Sequence, residues 1–275
     1  MTAVRVSRAW LSLREAADAA ARSVELVESV RRLLPAGPRR VIHDLGCGTG
    51  SMGRWLAPRL PGKQHWIMHD CDPDLLEHAA AGMVDVTEVA APVTVETRPG
   101  DIAGLTAEDL AGASLATASA LLDLLTADEI GRVAMACAGA GCPALLTVSV
   151  AGRVDLTPAD PLDAEITAAF NSHQRRTTGG RTLLGPDAID ATLGAFTGCG
   201  AATTVHASPW RLGADGRGDV ELMTEWFMGW VAAACQHQPD LAVPATAYVH
   251  RRLADMAECR LGAVVHHFDL FAQWE

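Results

Sequence analysis

The stretch Val41-Ile42-His43-Asp44-Leu45-Gly46-Cys47-Gly48-Thr49-Gly50-Ser51 decides the fold. Two β-branched residues open a strand, an aspartate ends it, and three glycines at alternate positions form a turn that leads into a helix. Glycine lets the backbone adopt turns closed to other residues and lets a ligand approach without meeting a Cβ. A strand that runs through such a turn into a helix places that ligand at the carboxyl end of a parallel sheet, where the strand order reverses. Asp44 is positioned to accept a hydrogen bond or to face an ammonium group.

Two phosphate-binding signatures do not fit. The dinucleotide fingerprint needs G-x-G-x-x-G, but here the third glycine comes one residue early and Ser51 stands in its place. The P-loop needs Gly-Lys-Ser/Thr, and Gly50 is followed by Ser51-Met52. The D-x-G-x-G-x-G form resembles motif I of the class I S-adenosylmethionine (SAM)-dependent methyltransferases.

That resemblance implies a Rossmann-like α/β fold. Its seven-stranded, mostly parallel sheet has helices on both faces and an antiparallel closing strand. The cofactor implied is SAM, with S-adenosylhomocysteine (SAH) as product. The glycine turn, Asp44, Gly46, Cys47, Gly48 and Gly50, would hold it. The next strand ends in His69-Asp70-Cys71-Asp72-Pro73. The resemblance makes Asp70 the ribose ligand with Cys71 beside it, while Asp72 and Pro73 start a helix as N-cap and first-turn proline. After the third strand, Asp101 would meet the adenine amino group and Ile102 would cover the ring. After the fourth, Ser119 and Ala120 would border the cofactor and Asp123 would face substrate. The motifs span about residues 41–150.

Outward from the motif, strands and helices alternate, the pattern of a parallel sheet. Strands are expected at 41–45, 65–69, 93–97, 114–119, 144–150, 201–206 and 262–270. Helices are expected at 51–60, 74–81, 127–138 and 186–196. Residues 9–34 keep helical apolar spacing up to the breaker Pro35-Ala36-Gly37-Pro38. The expected organisation is a helical cap at 1–40 and a methyltransferase domain at 41–275. That domain carries a lid at about 151–185 and a helical insertion at about 207–260.

The cap and lid are where an acceptor would sit. Arg14, Asp18 and Arg22 share one helical face. Two readings of that face are open: a solvent ion ladder, or a cover whose arginine, Arg22, meets a cofactor carboxylate while Trp10 and Arg14 wall the substrate pocket. In the lid, Leu162, Ile166, Phe170 and His173 share a face. His173 is the candidate general base, with Asn171 orienting a polar substrate; a histidine hydrogen-bonded in the interior is the competing reading. Trp226 and Trp230, one turn apart, suggest core or a homodimer face.

Composition narrows the partners. Hydrophobic residues make up 49% of the 275 and the formal charge is −11, so a nucleic-acid partner is not expected. The paired arginines 31–32, 39–40, 175–176 and 251–252 read mostly as solvated helix ends. Seven cysteines without a CxxC spacing point to reduced thiols in a cytoplasm. No signal-peptide layout, membrane span or metal-binding histidine pair is read. The expected activity is methyl transfer to the oxygen or nitrogen of a small molecule. The alternatives are a tRNA or protein methyltransferase, an aminopropyl transferase, and a non-catalytic SAM- or SAH-binding protein.

Overall fold

The structure, a computed structural model, describes residues 6–34, 39–84, 86, 92–213 and 220–274. The expected break at Pro35-Ala36-Gly37-Pro38 lies outside them.

Two helices come first, α1 (Arg8–Ala21) and α2 (Val24–Leu33). The apolar spacing had suggested one helix over 9–34. The chain bends at Arg22-Ser23 because Ser23 caps α2, accepting from the Leu26 amide at 3.2 Å, and its own amide donates to Asp269 at 2.7 Å. Then follow β1 (Arg40–Leu45), α3 (Ser51–Leu56), β2 (Gln64–Asp70), α4 (Pro73–Gly82) and β3 (Val93–Pro99). Asp72 caps α4 at the Asp74 amide, with Pro73 in the first turn as expected. β4 (Leu115–Ser119), α5 (Ala127–Ala140) and β5 (Ala144–Thr157) complete the parallel half.

β5 runs seven residues beyond the expected Val150, so the lid proper begins after Thr157. It holds α6 (Asp163–Gln174) and a small hairpin, β6 (Thr177–Thr178) with β7 (Arg181–Thr182). α7 (Ala188–Gly198), β8 (Ala202–Ala207) and β9 (Trp210–Gly213) follow, then α8 (Val220–His237), α9 (Ala242–Ala257) and β10 (Gly262–Gln273).

The sheet order is β3-β2-β1-β4-β5-β10-β8. β1 through β5 pair in parallel, and β10 runs antiparallel to both β5 and β8. These are the seven expected strands. β9 is an eighth, falling inside the stretch read as a helical insertion; it pairs with Gly262–Val265 of β10, beyond the span covered by β8. The order reverses between β1 and β4, so their carboxyl ends open a crevice.

Three apolar clusters hold these layers. On one face of the sheet, Leu26, Val27 and Val30 of α2 and Trp55 and Leu56 of α3 pack on Ile42, Trp66 and Met68. On the other, Ile130, Val133 and Cys137 of α5 and Ile189 and Phe196 of α7 pack on Leu45, Ala116, Leu146 and Leu270. The third cluster joins segments far apart in sequence: α6, α8, α9, β9 and the start of β10, with Trp10, Leu13 and Ala17 of α1 against it. Cap, lid and insertion are therefore one packed unit. Trp226 and Trp230 belong to this core, their rings stacked at 5.6 Å.

Two members of the arginine pairs are buried, not solvated. Arg40 donates to the carbonyls of Leu34 and Pro61. Arg252 binds both oxygens of Asp163 at 2.6 Å and the Pro158 carbonyl, and Tyr248 also donates to Asp163.

Asp269 joins the pieces. It sits at an irregularity of β10 and accepts from the Ser23 amide and, at 2.8 Å, from the Val148 amide. Val148 has φ +56°, a conformation a β-branched residue rarely adopts. Asp269→Ala would leave two buried amides without an acceptor. It is expected to lower stability by about 3 kcal/mol in urea unfolding.

Candidate active site

The glycine turn takes the predicted shape. Gly46 and Gly48 have φ +62° and +54°, and a Cβ on Gly46 would lie 2.8 Å from Leu121. A Cβ on Gly48 would lie 3.2 Å from Leu11 of α1. The turn is thus approached from below by the end of β4 and from above by the first helix. Cys47 is buried among apolar side chains, which pushes its thiol far up and leaves it unreactive.

Asp44 is fully buried. Its direct register partner on β4, Thr117, donates to Oδ1 at 2.8 Å and so orients the carboxylate. Oδ2 has no hydrogen-bond partner. Burial raises this acid to about 7, with Thr117 and Arg22 pulling the other way. Asp70 turns inward: Oδ2 accepts from the Gly48 amide and Oδ1 from the Asp72 amide, both at 2.9 Å. The acid at the tip of β2 therefore braces the glycine turn. Cys71 beside it is exposed.

Arg22, only 2% exposed, leaves the α1–α2 bend and reaches across the crevice. Nη2 donates to Ser119 Oγ at 2.9 Å and to Ser51 Oγ at 3.2 Å, and the guanidinium lies over Trp55. Nε is buried without a partner. Arg22 and Asp44 attract each other electrostatically but form no ion pair within 4.0 Å. Ala120, next to Ser119, is held at φ +51°, its amide donating to the Thr147 carbonyl. Asp101 is exposed and caps a short turn at Ala103, and half-buried Ile102 packs against the cluster that contains Leu105.

The α1 face is not a solvent ion ladder, because Asp18 and Arg22 are buried. Arg14 grips Asp18 through Nε and Nη2, and Asp18 Oδ1 accepts from the indole of Trp210 on β9. Arg14 lies over the rings of Trp10 and Trp210. Two residues that the sequence reading did not single out fasten the helix: Glu15 makes a two-point pair with Arg54 of α3, at 2.6 and 2.8 Å. Arg54 in turn donates to the Thr49 carbonyl in the glycine turn. Trp210 also stands against His267 of β10, their ring centroids 5.2 Å apart. His267 Nδ1 is buried and unpartnered.

The lid candidates are placed differently. His173 hydrogen-bonds Gln236 on α8, continuing the packed face of Ile166 and Phe170. No hydrogen bond or ion pair joins it to Asp44, Asp70 or Asp123. The Asn171 amide donates to the Gly152 carbonyl at 2.7 Å, tying α6 to β5. Asp123 is half-buried in the turn after β4; enclosure raises it to about 6, with the charges of Arg14 and Arg176 pulling the other way. His43 and His69, which precede the two aspartates, hydrogen-bond each other across β1 and β2 at 3.0 Å. Among the described residues, no three His, Cys, Asp or Glu side chains gather as a metal site, and no helix is long and apolar enough to cross a membrane.

No protein-family model matches the chain, and no curated protein matches it by sequence. Solved structures are similar in outline. The YcgJ protein of Bacillus subtilis is 10% identical, covering 92% of this chain and 100% of its own, with a TM-score of 0.48. A putative methyltransferase of Bacillus halodurans is 12% identical over 90% of this chain and 96% of its own, TM-score 0.47. A SAM-dependent methyltransferase of Geobacter sulfurreducens, crystallised with SAH, is 16% identical over 100% and 99%, TM-score 0.44.

Burial drives His267 down to about 3. An unfolded histidine takes up a proton near 6.5, so between pH 6.5 and 3 the unfolded chain binds more protons and stability falls on acidification. Urea unfolding is expected to show a loss of about 2 kcal/mol from pH 7 to pH 5 through this residue, absent from His267→Leu. The strand order, its reversal between β1 and β4, and the antiparallel β10 make this a Rossmann-like, mostly parallel α/β sheet with an antiparallel closing strand.

Proposed function

We propose that the chain binds SAM at the glycine turn and transfers a methyl group to a small molecule enclosed by the cap. The pair of unsatisfied atoms, Asp44 Oδ2 and Arg22 Nε, carries this reading. Buried polar groups without partners are costly. An acceptor and a donor of opposite charge, both buried and not paired with each other, are complementary to an α-amino acid. Its ammonium suits Asp44 and its carboxylate suits Arg22. Nicotinamide dinucleotides and nucleoside triphosphates carry no such zwitterion; the methionine end of SAM does.

The remaining residues suit the rest of the cofactor. Asp70 keeps lone pairs beyond its two amide contacts for ribose hydroxyls. Leu121 and Ile102 offer apolar walls for an adenine, with Asp101 at the rim. When bound, SAM supplies an electrophilic methyl on a sulfonium, so the protein's task is to hold a nucleophile in line and exclude water. The packing of α1 against the unit made by the lid and α8–α9 supports a small acceptor over a polymer, and so does the charge of −11.

Thermal shift separates the readings. SAM and SAH are expected to raise the melting temperature and NAD to leave it unchanged. Asp44→Asn and Arg22→Met should each weaken SAH binding by about tenfold or more, the worth of one charge-assisted hydrogen bond. Asp44 must be charged to hold an ammonium and titrates near 7. SAH affinity, measured by calorimetry, should therefore drop roughly tenfold from pH 8 to pH 6 in the wild type, a dependence lost in Asp44→Asn. A melting temperature indifferent to both SAM and SAH would end this account.

A further inference from the structure

We infer that the chain forms a homodimer through β8, the two copies pairing this strand antiparallel about a two-fold axis; the inference is independent of the cofactor reading above. β8 is an outer edge of the sheet, and among the described residues it pairs with β10 alone. Every second residue of such a strand turns its N–H and C=O outward, where they template a further strand. Edges that stay bare are blunted by charges, prolines or bulges. The other edges of this sheet are blunted in that way. β3 carries the Glu96–Arg98 ion pair at 2.7 Å and ends in Pro99. β9 follows Pro209 and carries Arg211. β8 reads Ala202-Thr203-Thr204-Val205-His206-Ala207, with no acid, lysine, arginine, proline or glycine. Its register on β10 is unbroken from Ala202 to Ala207, and Val205 near its centre is 36% exposed. Thr203, Thr204 and Val205 are β-branched and suit a further strand.

The helix beside this edge points to a second copy as the occupant. Ser23 Oγ meets both Glu25 Oε2, at 2.9 Å, and His206 Nδ1 of β8, at 3.0 Å, so Glu25 of α2 stands on the β8 side. Ser29 Oγ donates to the Glu25 carbonyl and accepts from Arg32 Nη2 at 2.9 Å. Glu25, Ser29 and Arg32 therefore form one stripe along α2, with an acid in its first turn and a base in its last. Such a stripe is complementary to itself when reversed. A two-fold axis through β8, perpendicular to the sheet, reverses the helix while keeping both copies of α2 on the same face. It brings Glu25 toward Arg32 of the partner subunit, and Arg32 toward Glu25 of the partner subunit. An isologous interface requires this self-complementarity. Each copy carries −11, so two copies repel except where neutral groups or opposite charges meet. The β8 edge supplies the first and the α2 stripe the second.

Sedimentation velocity over roughly 1 to 100 µM chain tests the inference, because an interface of one strand pair and two ion pairs is small and dissociates in the micromolar range. The wild type is expected to pass from monomer to a species of twice the chain mass as concentration rises. Val205→Lys should stay monomeric throughout. Glu25→Arg and Arg32→Glu should each weaken the dimer about tenfold, by setting like charges together across the axis, and the double exchange should restore it. All three positions are exposed, so each variant keeps the monomer fold, which far-UV circular dichroism checks. A wild type monomeric at about 100 µM overturns the inference, whether the edge is bare or taken by a strand of another protein. A dimer that survives Val205→Lys also overturns it, since that dimer forms elsewhere. A double exchange no tighter than either single one removes the two-fold pairing of α2, and with it the inference.

Discussion

The carboxylate of Asp269 is the constraint on which the site depends. It belongs to the closing strand, yet it accepts from the first amide after the α1–α2 bend and from the bulged amide of Val148 on β5. Ser23 at the same bend meets His206 of β8 at 3.0 Å. Strands from the far side of the sheet therefore fix where the first helix turns. Arg22 is the residue at that turn, so its reach to Ser51 and Ser119 is set by an acid nearly 250 residues further along. A buried carboxylate does this better than an apolar contact would, because directional hydrogen bonds specify a position as well as a distance.

Features that cost stability gather where β1 and β4 end, and on the neighbouring stretches of β5 and β10. Asp44, Arg22 and His267 are each buried with an unmatched polar atom, and Ala120 and Val148 hold positive φ angles. Such features persist only where the surroundings over-determine them, and they concentrate at functional sites. A second buried charge cluster shows the contrast. There Arg252 binds both oxygens of Asp163, Tyr248 donates to the same acid, and the cluster is a joint between β5, α6 and α9.

The parts legible in the sequence were the local ones. Glycines 46, 48 and 50, the acid at the tip of β2 and the Asp72-Pro73 helix start each declare themselves within a few residues, and the alternation of elements follows from them. The bend at Arg22-Ser23 was hidden because apolar spacing runs on across it, and its cause lies on β10. β5 was read short because its last residues alternate toward solvent, losing the continuous apolar run of its first half. β9 was missed because four residues carry little periodicity. The joining of cap, lid and insertion depends on contacts such as Asp18 with Trp210 and Glu15 with Arg54, for which spacing has no signal. A sharper clue was available at Asp269, a lone acid within the apolar run Phe268–Ala272. Thr117, too, is opposite Asp44 in the register that aligns Ile42 with Leu115.

The first helix is built on charges where its neighbour is built on apolar side chains. A helix that merely covered a core would bury leucines, as α2 does with Leu26, Val27 and Val30. α1 buries Asp18, keeps Arg14 half-covered between two tryptophan rings, and ends on Arg22. Ion pairs this enclosed contribute little net stability once desolvation is counted, and apolar replacements would serve packing as well or better. What they supply is a row of charges held in fixed positions, Arg14 and Asp18 against Trp210 of β9 and Arg22 against Ser119 at the end of β4. Asp44, with its free oxygen, is electrostatically coupled to Arg22 at the end of that row.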